Sequence, residues 1–212
     1  MIASMKVYVA GHAGMVGSAI CRRLRAGGYA RVVGRTLEEL DLRREAEVEA
    51  CFRAERADVV VLAAARVGGI LAYSTQPAEF IYDNLIIAAN VIQAAWRHGT
   101  QQLVNLGSSC IYPKLAPQPI GENQLLAGPL EETNRAYAVA KIAALELCRH
   151  FSGQYGCHFV SLMPTNLYGP NDTYDLLQSH VLPALIRKFH LAEALRRGDL
   201  EALRRALARR PL

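Results

Sequence analysis

The sequence predicts an α/β chain built on a doubly wound parallel sheet, and three observations predict it. Five short apolar runs alternate with four segments of helical periodicity. A glycine-rich turn follows the first run and opens directly into the first helical segment. A proline-rich connection without periodicity follows the fourth run, where open α/β sheets place their ligand clefts.

The runs are "MKVYVAG" (Met5 to Gly11), "ARVVGR" (Ala30 to Arg35), "DVVVLAA" (Asp58 to Ala64), "QLVNLGS" (Gln102 to Ser108) and "HFVSLMP" (His158 to Pro164). Helical periodicity occupies Met15 to Ala26, Arg44 to Glu55, Pro77 to Arg97 and Asn134 to Tyr155. Strands that alternate with helices pair in parallel, because each crossover has to return to the same edge of the sheet. Between Ser109 and Thr133 lie Pro113, Pro117, Pro119 and Pro129. Structureless connections of that length inside a compact domain usually serve function.

Composition narrows the class. The chain has 212 residues, 51% of them hydrophobic and 20% charged, as expected of a soluble globular protein with one good-sized core. Runs such as "VVVLAAA" and "LIIAANVIQAA" are too short or too interrupted to span a bilayer, and "MIASMKVYVAG" lacks the basic start of a signal peptide. A cytoplasmic protein with no membrane partner is expected. Cys21, Cys51, Cys110, Cys148 and Cys157 are odd in number and have no C-x-x-C spacing, which argues for reduced thiols and against a disulfide framework or a zinc site. The net charge of +5 resides in the tail: from Arg187 onward eight basic residues face three acidic ones. Without interleaved aromatics or a reader motif, that tail reads as a solvated helix face rather than a nucleic-acid contact.

The turn "GHAGMVGSAI" places Gly11, Gly14 and Gly17 between strand and helix. Glycines there permit a tight turn, close approach of a pyrophosphate and close helix packing, while the helix N-terminus offers free N–H groups to the anion. A dinucleotide-binding Rossmann unit is expected. At the end of the second run stands Arg35, where an acidic residue would bond the ribose 2′-hydroxyl of NAD. A guanidinium suits a 2′-phosphate instead, so NADPH is favoured over NADH; the plain alternative is a surface arginine at a strand end. Asp41 either contacts the adenine or caps the helix that begins nearby.

In "NRAYAVAKIAALEL", Tyr137 and Lys141 stand four residues apart, which puts both on one helix face. A tyrosine at its ordinary pKa of about 10 relays protons poorly at neutral pH, and a neighbouring ammonium favours its phenolate. With "GSSC" (Gly107 to Cys110) closing the fourth strand, the pattern resembles the short-chain dehydrogenase/reductase superfamily, in its extended branch that modifies nucleotide sugars. The resemblance runs from about Met5 to Phe189. Within that branch "GHAGMVGSAI", "AAARVGGI", "NLGSSCIYPKLAPQPI", "NRAYAVAKIA", "MPTNLYGPND" and "SHVLPALIRKFH" together are similar to the GDP-L-fucose synthase family.

That resemblance implies NADPH-dependent conversion of GDP-4-dehydro-6-deoxy-D-mannose: epimerisation at C3 and C5, then reduction of the C4 ketone. It implies Cys110 as base and His180 as acid for epimerisation, with Tyr137 as proton donor, Ser108 as its hydrogen-bonding partner and Lys141 on the nicotinamide ribose. The turn residues His12, Ala13, Met15 and Val16 join the three glycines on the cofactor, as do Leu106, Gly107, Ser108 and Ser109. At the nicotinamide end the implied contacts are Pro164, Thr165, Asn166, Leu167 and His180. Asn166 also reaches toward substrate, and Lys188 fills a substrate-contacting position usually held by Arg. Lysine neutralises a phosphate but lacks the planar two-point contact. Ala13 stands where bacterial relatives often carry a basic residue, which leaves more of the phosphate to Arg35.

The expected organisation is a dinucleotide-binding domain over residues 1–165, with 166–212 as the start of a substrate-binding region. Family members continue beyond this length and supply another strand and most of the nucleotide-sugar pocket. After Phe189 the agreement fades, and Leu191, Leu195, Leu200, Leu203 and Leu207 suit an amphipathic helix that covers an edge or meets a partner. The alternative is a tail without selected function. Three functional readings stand: an active epimerase/reductase, a non-catalytic NADP-binding fragment or partner module, and another nucleotide-sugar epimerase or dehydratase. A homodimer through the helices at Pro77 to Arg97 and Asn134 to Tyr155 is what the resemblance implies.

Overall fold

The computed structural model describes residues 4–175 and 178–209. The elements run β1 (Lys6–Ala10), α1 (Met15–Ala26), β2 (Arg31–Val33), α2 (Glu45–Glu55), β3 (Val59–Leu62), α3 (Ile70–Thr75), α4 (Pro77–Arg97), β4 (Gln102–Leu106), α5 (Arg135–Tyr155), β5 (His158–Leu162), α6 (Val181–Arg196) and α7 (Leu200–Arg209). All five strands are parallel, in the order β2-β1-β3-β4-β5. The chain thus moves outward from β1 to β2, then crosses to the other side of β1 for β3. That reversal opens a crevice at the carboxyl ends of β1 and β3, where doubly wound sheets bind ligands.

Alternation along β1 divides the core in two. Tyr8 and Ala10 face a large cluster with Val48 and Phe52 of α2, Val91 and Ile92 of α4 and Cys148 of α5. Val7 and Val9 face Cys21, Ile20 and Leu24 of α1 on the opposite side. α4 starts with Pro77 in its first turn and buries Phe80, Asn84, Ala88, Val91 and Ala95, spaced three or four apart, as one face of a helix demands. Completely buried Leu62, Ile92 and Leu103 each contribute about 1.5–3 kcal/mol by leaving water. Among the described residues no helix is long and apolar enough to cross a membrane.

The four predicted helices and five strands are found at their predicted places, with the strands a residue or two shorter at their ends. Two features differ from expectation. The short helix α3 occupies a stretch read as connection, because six residues are too few to declare a period. The leucine-rich tail forms two helices rather than one: Gly198 takes φ 69° between α6 and α7, a left-handed conformation that stops a helix. The predicted tail's last residues, Arg210 to Leu212, lie outside the described residues. The long proline-rich connection contains two 3-10 turns, Ser109–Ile111 and Glu122–Gln124, and the Lys114 amide donates to the Pro129 carbonyl at 3.0 Å.

Candidate active site

A cavity of about 710 Å³ opens at the switch point. Its floor is the glycine-rich turn. Gly11 takes φ 81°, and a Cβ there would stand 2.8 Å from the Ala64 amide nitrogen, so the end of β1 can lie against that of β3 only with glycine. A Cβ on Gly17 would come within 2.1 Å of the Gly11 carbonyl, which explains why α1 packs so close to the turn. No side chain caps α1, so its first-turn amides face the cavity without an intrahelical acceptor. Such a cradle fits a pyrophosphate.

Of the predicted cofactor residues, Gly11, Gly14, Met15, Val16, Gly17, Arg35, Asp41, Gly107, Ser108, Pro164, Thr165, Asn166, Leu167 and His180 line this cavity. His12, Ala13, Leu106, Ser109 and Lys141 do not. His12 is pressed against Gly34, where a Cβ would stand 2.3 Å from its ring, and its Nδ1 is buried without a protein partner. Lys188 sits exposed on α6 and does not line the cavity.

Arg35 lies at the rim, paired with Glu55 and donating to the Gly34 carbonyl at 3.0 Å. Glu55 also accepts from Lys6 at 3.0 Å. Asp41 does not cap α2, whose N-cap is Arg44 and has no side-chain bond. Its carboxylate instead takes the backbone amide and guanidinium of Arg43, at 3.0 and 2.8 Å, which holds its pKa at about 2. Arg43 itself lines the cavity.

The proton-handling groups gather at the end of β4. Tyr137 is 7% exposed and opens onto the cavity beside Ser108. Lys141 lies one turn on, its Nζ donating to the Leu106 carbonyl at 2.8 Å and standing 5.7 Å from the centre of the Tyr137 ring. Burial lowers the Lys141 pKa to about 8 and drives that of Tyr137 well above its ordinary value. Ser108 caps the 3-10 turn that carries Cys110, accepting from the Cys110 amide at 3.4 Å. Burial also raises the Cys110 thiol, opposed by its hydrogen bond to Ser108 and by the charge of Lys141. Cys110 packs against a cluster of Tyr73, Phe80 and Tyr137. His180 enters the cavity from the N-cap of α6.

The lining also includes residues that were not anticipated, among them Arg66, Tyr73 and Asp83. Arg66 donates to Asp83 at 2.9 Å, and Asn84 both accepts from its amide and donates to its carbonyl at 3.0 Å. The adjacent pair Asp83 and Asn84 inside the apolar run "FIYDNLIIAANVI" was the available signal. Buried polar groups in a helix need partners, and these hold the loop after β3.

The sequence profile of the NAD dependent epimerase/dehydratase family matches residues 7–210. The chain belongs to that family. Among curated family members it is 60% identical over 190 residues to a probable GDP-L-fucose synthase of Oryza sativa, covering 89% of this chain and 58% of the relative. It is 56% identical over 188 residues to the GDP-L-fucose synthase of Sinorhizobium fredii, covering 89% and 60%. A solved GDP-mannoheptose C4 reductase of Campylobacter jejuni with NADP bound superposes with a TM-score of 0.88 at 37% identity, covering 95% of this chain and 62% of that one. The chain thus spans about 60% of the length of the family members it matches.

Proposed function

We propose that this chain carries the chemistry of NADPH-dependent 3,5-epimerisation and 4-reduction of GDP-4-dehydro-6-deoxy-D-mannose to GDP-L-fucose. The observation that carries the reading is the convergence of Ser108, Tyr137 and His180 on one cavity with the Gly11 to Gly17 turn, with Lys141 and Cys110 directly behind. Similarity to GDP-L-fucose synthases supports the substrate, and the NADP-bound neighbour supports the cofactor.

The residues present fit the dinucleotide: the turn and first-turn amides of α1 would hold the pyrophosphate, Arg35 the 2′-phosphate, and Pro164 to Leu167 the nicotinamide end. Bound there, the reduced cofactor supplies the hydride for C4. The chain's own residues do the rest. Cys110, as thiolate, removes a proton from a carbon flanking the ketone, and the Ser108 and Tyr137 hydroxyls stabilise the enolate oxygen. His180, carried by a different element, returns a proton to the other face, which inverts the centre. Tyr137 then gives its proton to the C4 oxygen, and the Lys141 ammonium stabilises the phenolate left behind. Burial keeps the Tyr137 phenol protonated until that step. Asn166 contacts the sugar side, and Lys188 on α6 meets the nucleotide phosphate.

In this reading residues 1–165 bind the cofactor and 166–212 begin the substrate side. The chain is a cytoplasmic enzyme with free thiols and pairs as a homodimer through α4 and α5, which sedimentation checks. Its partner is a nucleotide sugar, with no nucleic acid or membrane involved. The deciding experiment is incubation with NADPH and the keto sugar, with mass analysis of the product in deuterated water. GDP-fucose carrying solvent deuterium supports the reading. NADPH binding without turnover supports a non-catalytic cofactor-binding module, and a different product a related epimerase or dehydratase.

A further inference from the structure

Tyr137 does not stand alone in the wall of the cavity. Its ring packs against that of Tyr73 on α3, with centroids 5.2 Å apart and planes at 40°. Tyr73 packs in turn on Phe80 of α4, at 4.6 Å and 54°. Over Phe80 lies the Arg66 guanidinium, 5.2 Å from the ring centre. Arg66 is fastened to α4 by Asp83 and Asn84. Asn84 also donates to the Phe80 carbonyl at 2.7 Å. A continuous stack therefore runs from α4 to the Tyr137 phenol. A Cβ on Gly68 would stand 3.1 Å from the Phe80 ring, so the loop after β3 packs closely on this stack. Tyr73 lines the same cavity as Tyr137 and is only 9% exposed.

A phenol on a helix has two free torsions, and proton transfer needs its oxygen placed to a fraction of an ångström. Lys141 bears on the Tyr137 ring from its own helix. Toward α3 the Tyr137 ring meets the ring of Tyr73. The same ring covers the cluster into which Cys110 is packed. We propose that Tyr73 is a positioning residue of the proton-transfer site: its ring fixes the direction of the Tyr137 hydroxyl and screens Tyr137 and Cys110 from water.

This inference rests on the proposed roles of Tyr137 and Cys110, and its test separates the two. The titratable groups facing the Cys110 thiol are Tyr73 of α3 and Tyr137 and Lys141 of α5. In the full chain, Tyr73→Leu removes the ring and Tyr73→Phe keeps it. Ketone reduction is measured for kcat and KM, NADPH binding by melting shift, and Cys110 alkylation by iodoacetamide against pH, site by site by mass spectrometry. Tyr73→Leu is expected to lower kcat about 100-fold with KM for NADPH within about threefold. Its Cys110 alkylation midpoint should fall toward that of an ordinary exposed thiol. Tyr73→Phe should lose no more than about fivefold in kcat and keep the native alkylation midpoint.

A Tyr73→Leu chain with native kcat and native alkylation profile overturns the proposal. So does a Tyr73→Phe chain as impaired as Tyr73→Leu, since the hydroxyl and not the ring would then be at work. If Tyr73→Leu does not fold, Tyr73→Met, which also removes the ring, is measured in its place and read by the same criteria. If the native chain does not turn over, the functional reading fails, and the alkylation midpoints still decide for or against Tyr73.

Discussion

The Lys141 ammonium stands 5.7 Å from the centre of the Tyr137 ring and is held there by the Leu106 carbonyl at 2.8 Å. A buried charge next to a buried phenol is costly, and in the proposed mechanism each serves the other at the transfer step. Replacing Tyr137 with Phe keeps the ring against Tyr73 and Lys141 and removes only the hydroxyl. Hydride transfer to the C4 ketone should fall by about a thousandfold or more, with the NADPH melting shift intact. Loss of cofactor binding instead would contradict the role of donor.

Lys141 also leaves a signature in stability. Burial lowers its pKa from 10.5 to about 8, so the unfolded chain binds this proton more tightly than the folded one. The penalty is on the order of 3 kcal/mol, is fully present below about pH 8 and is relieved as pH rises toward 10.5. Buried thiols and tyrosines with raised values act in the opposite sense above about pH 9. The Lys141→Met variant, compared with the native chain in urea melts, isolates the lysine. Its stability relative to native should fall steadily between pH 8 and 10, and a constant difference would refute a buried, pKa-depressed ammonium.

The glycines of the turn separate fold from binding. At Gly17 a Cβ would stand 2.1 Å from the Gly11 carbonyl, so Gly17→Ala must displace backbone and should cost about 2 kcal/mol or more. At Gly14 the nearest atom would be the same carbonyl at 3.4 Å, an ordinary contact. Gly14→Ala should therefore melt within a few degrees of native, about as other tolerated helix-cap changes do. Its methyl projects into the space a pyrophosphate would use, so NADPH affinity should drop by about tenfold or more. Equal affinity in Gly14→Ala and native chains, measured by fluorescence titration, would move the phosphates elsewhere.

Much of this arrangement was legible because it is local. The turn from Gly11 to Gly17, the period of α4 and the Tyr137 and Lys141 spacing are all written within a few helical turns of chain. What escaped depends on tertiary contact. Glu55 meets Arg35 across 20 residues, and Asp83 meets Arg66 across 17, pairings that no spacing rule signals. Of the two local readings of Asp41 the helix cap is excluded, because Arg44 stands at the N-cap and Arg43, two residues on, takes the Asp41 carboxylate. Tyr73 lay in a helix too short to announce itself, yet its ring touches Tyr137.

The pairing of Arg35 with Glu55 bears on cofactor choice. Glu55 holds Arg35 at the rim while Lys6 balances the carboxylate from its other side. In the proposed site Arg35, sharing Glu55 with Lys6, meets the 2′-phosphate of the cofactor. Arg35→Ala should weaken NADPH about 10- to 100-fold, the value of a charge-assisted contact, and leave NADH nearly unchanged. The check is the ratio of the two dissociation constants. An unchanged ratio would reduce Arg35 to a surface partner of Glu55.

The last prediction concerns the thiol. Cys110 is partly buried against Tyr73, Phe80 and Tyr137, and burial raises its pKa above the ordinary thiol value despite the nearby Lys141 charge and the Ser108 hydrogen bond. At neutral pH only a small fraction is thiolate, so exchange of the sugar's C3 and C5 protons with solvent should accelerate as pH rises and still be climbing near pH 9. Hydride transfer depends on Tyr137 and should not share that slope. In Cys110→Ser the alkoxide is out of reach at these pH values, so deuterium incorporation should fall by about a hundredfold or more while NADPH binding stays. Incorporation that persists in Cys110→Ser, or a rate flat with pH, would assign the base to another residue and leave Cys110 as packing beneath Tyr73 and Tyr137.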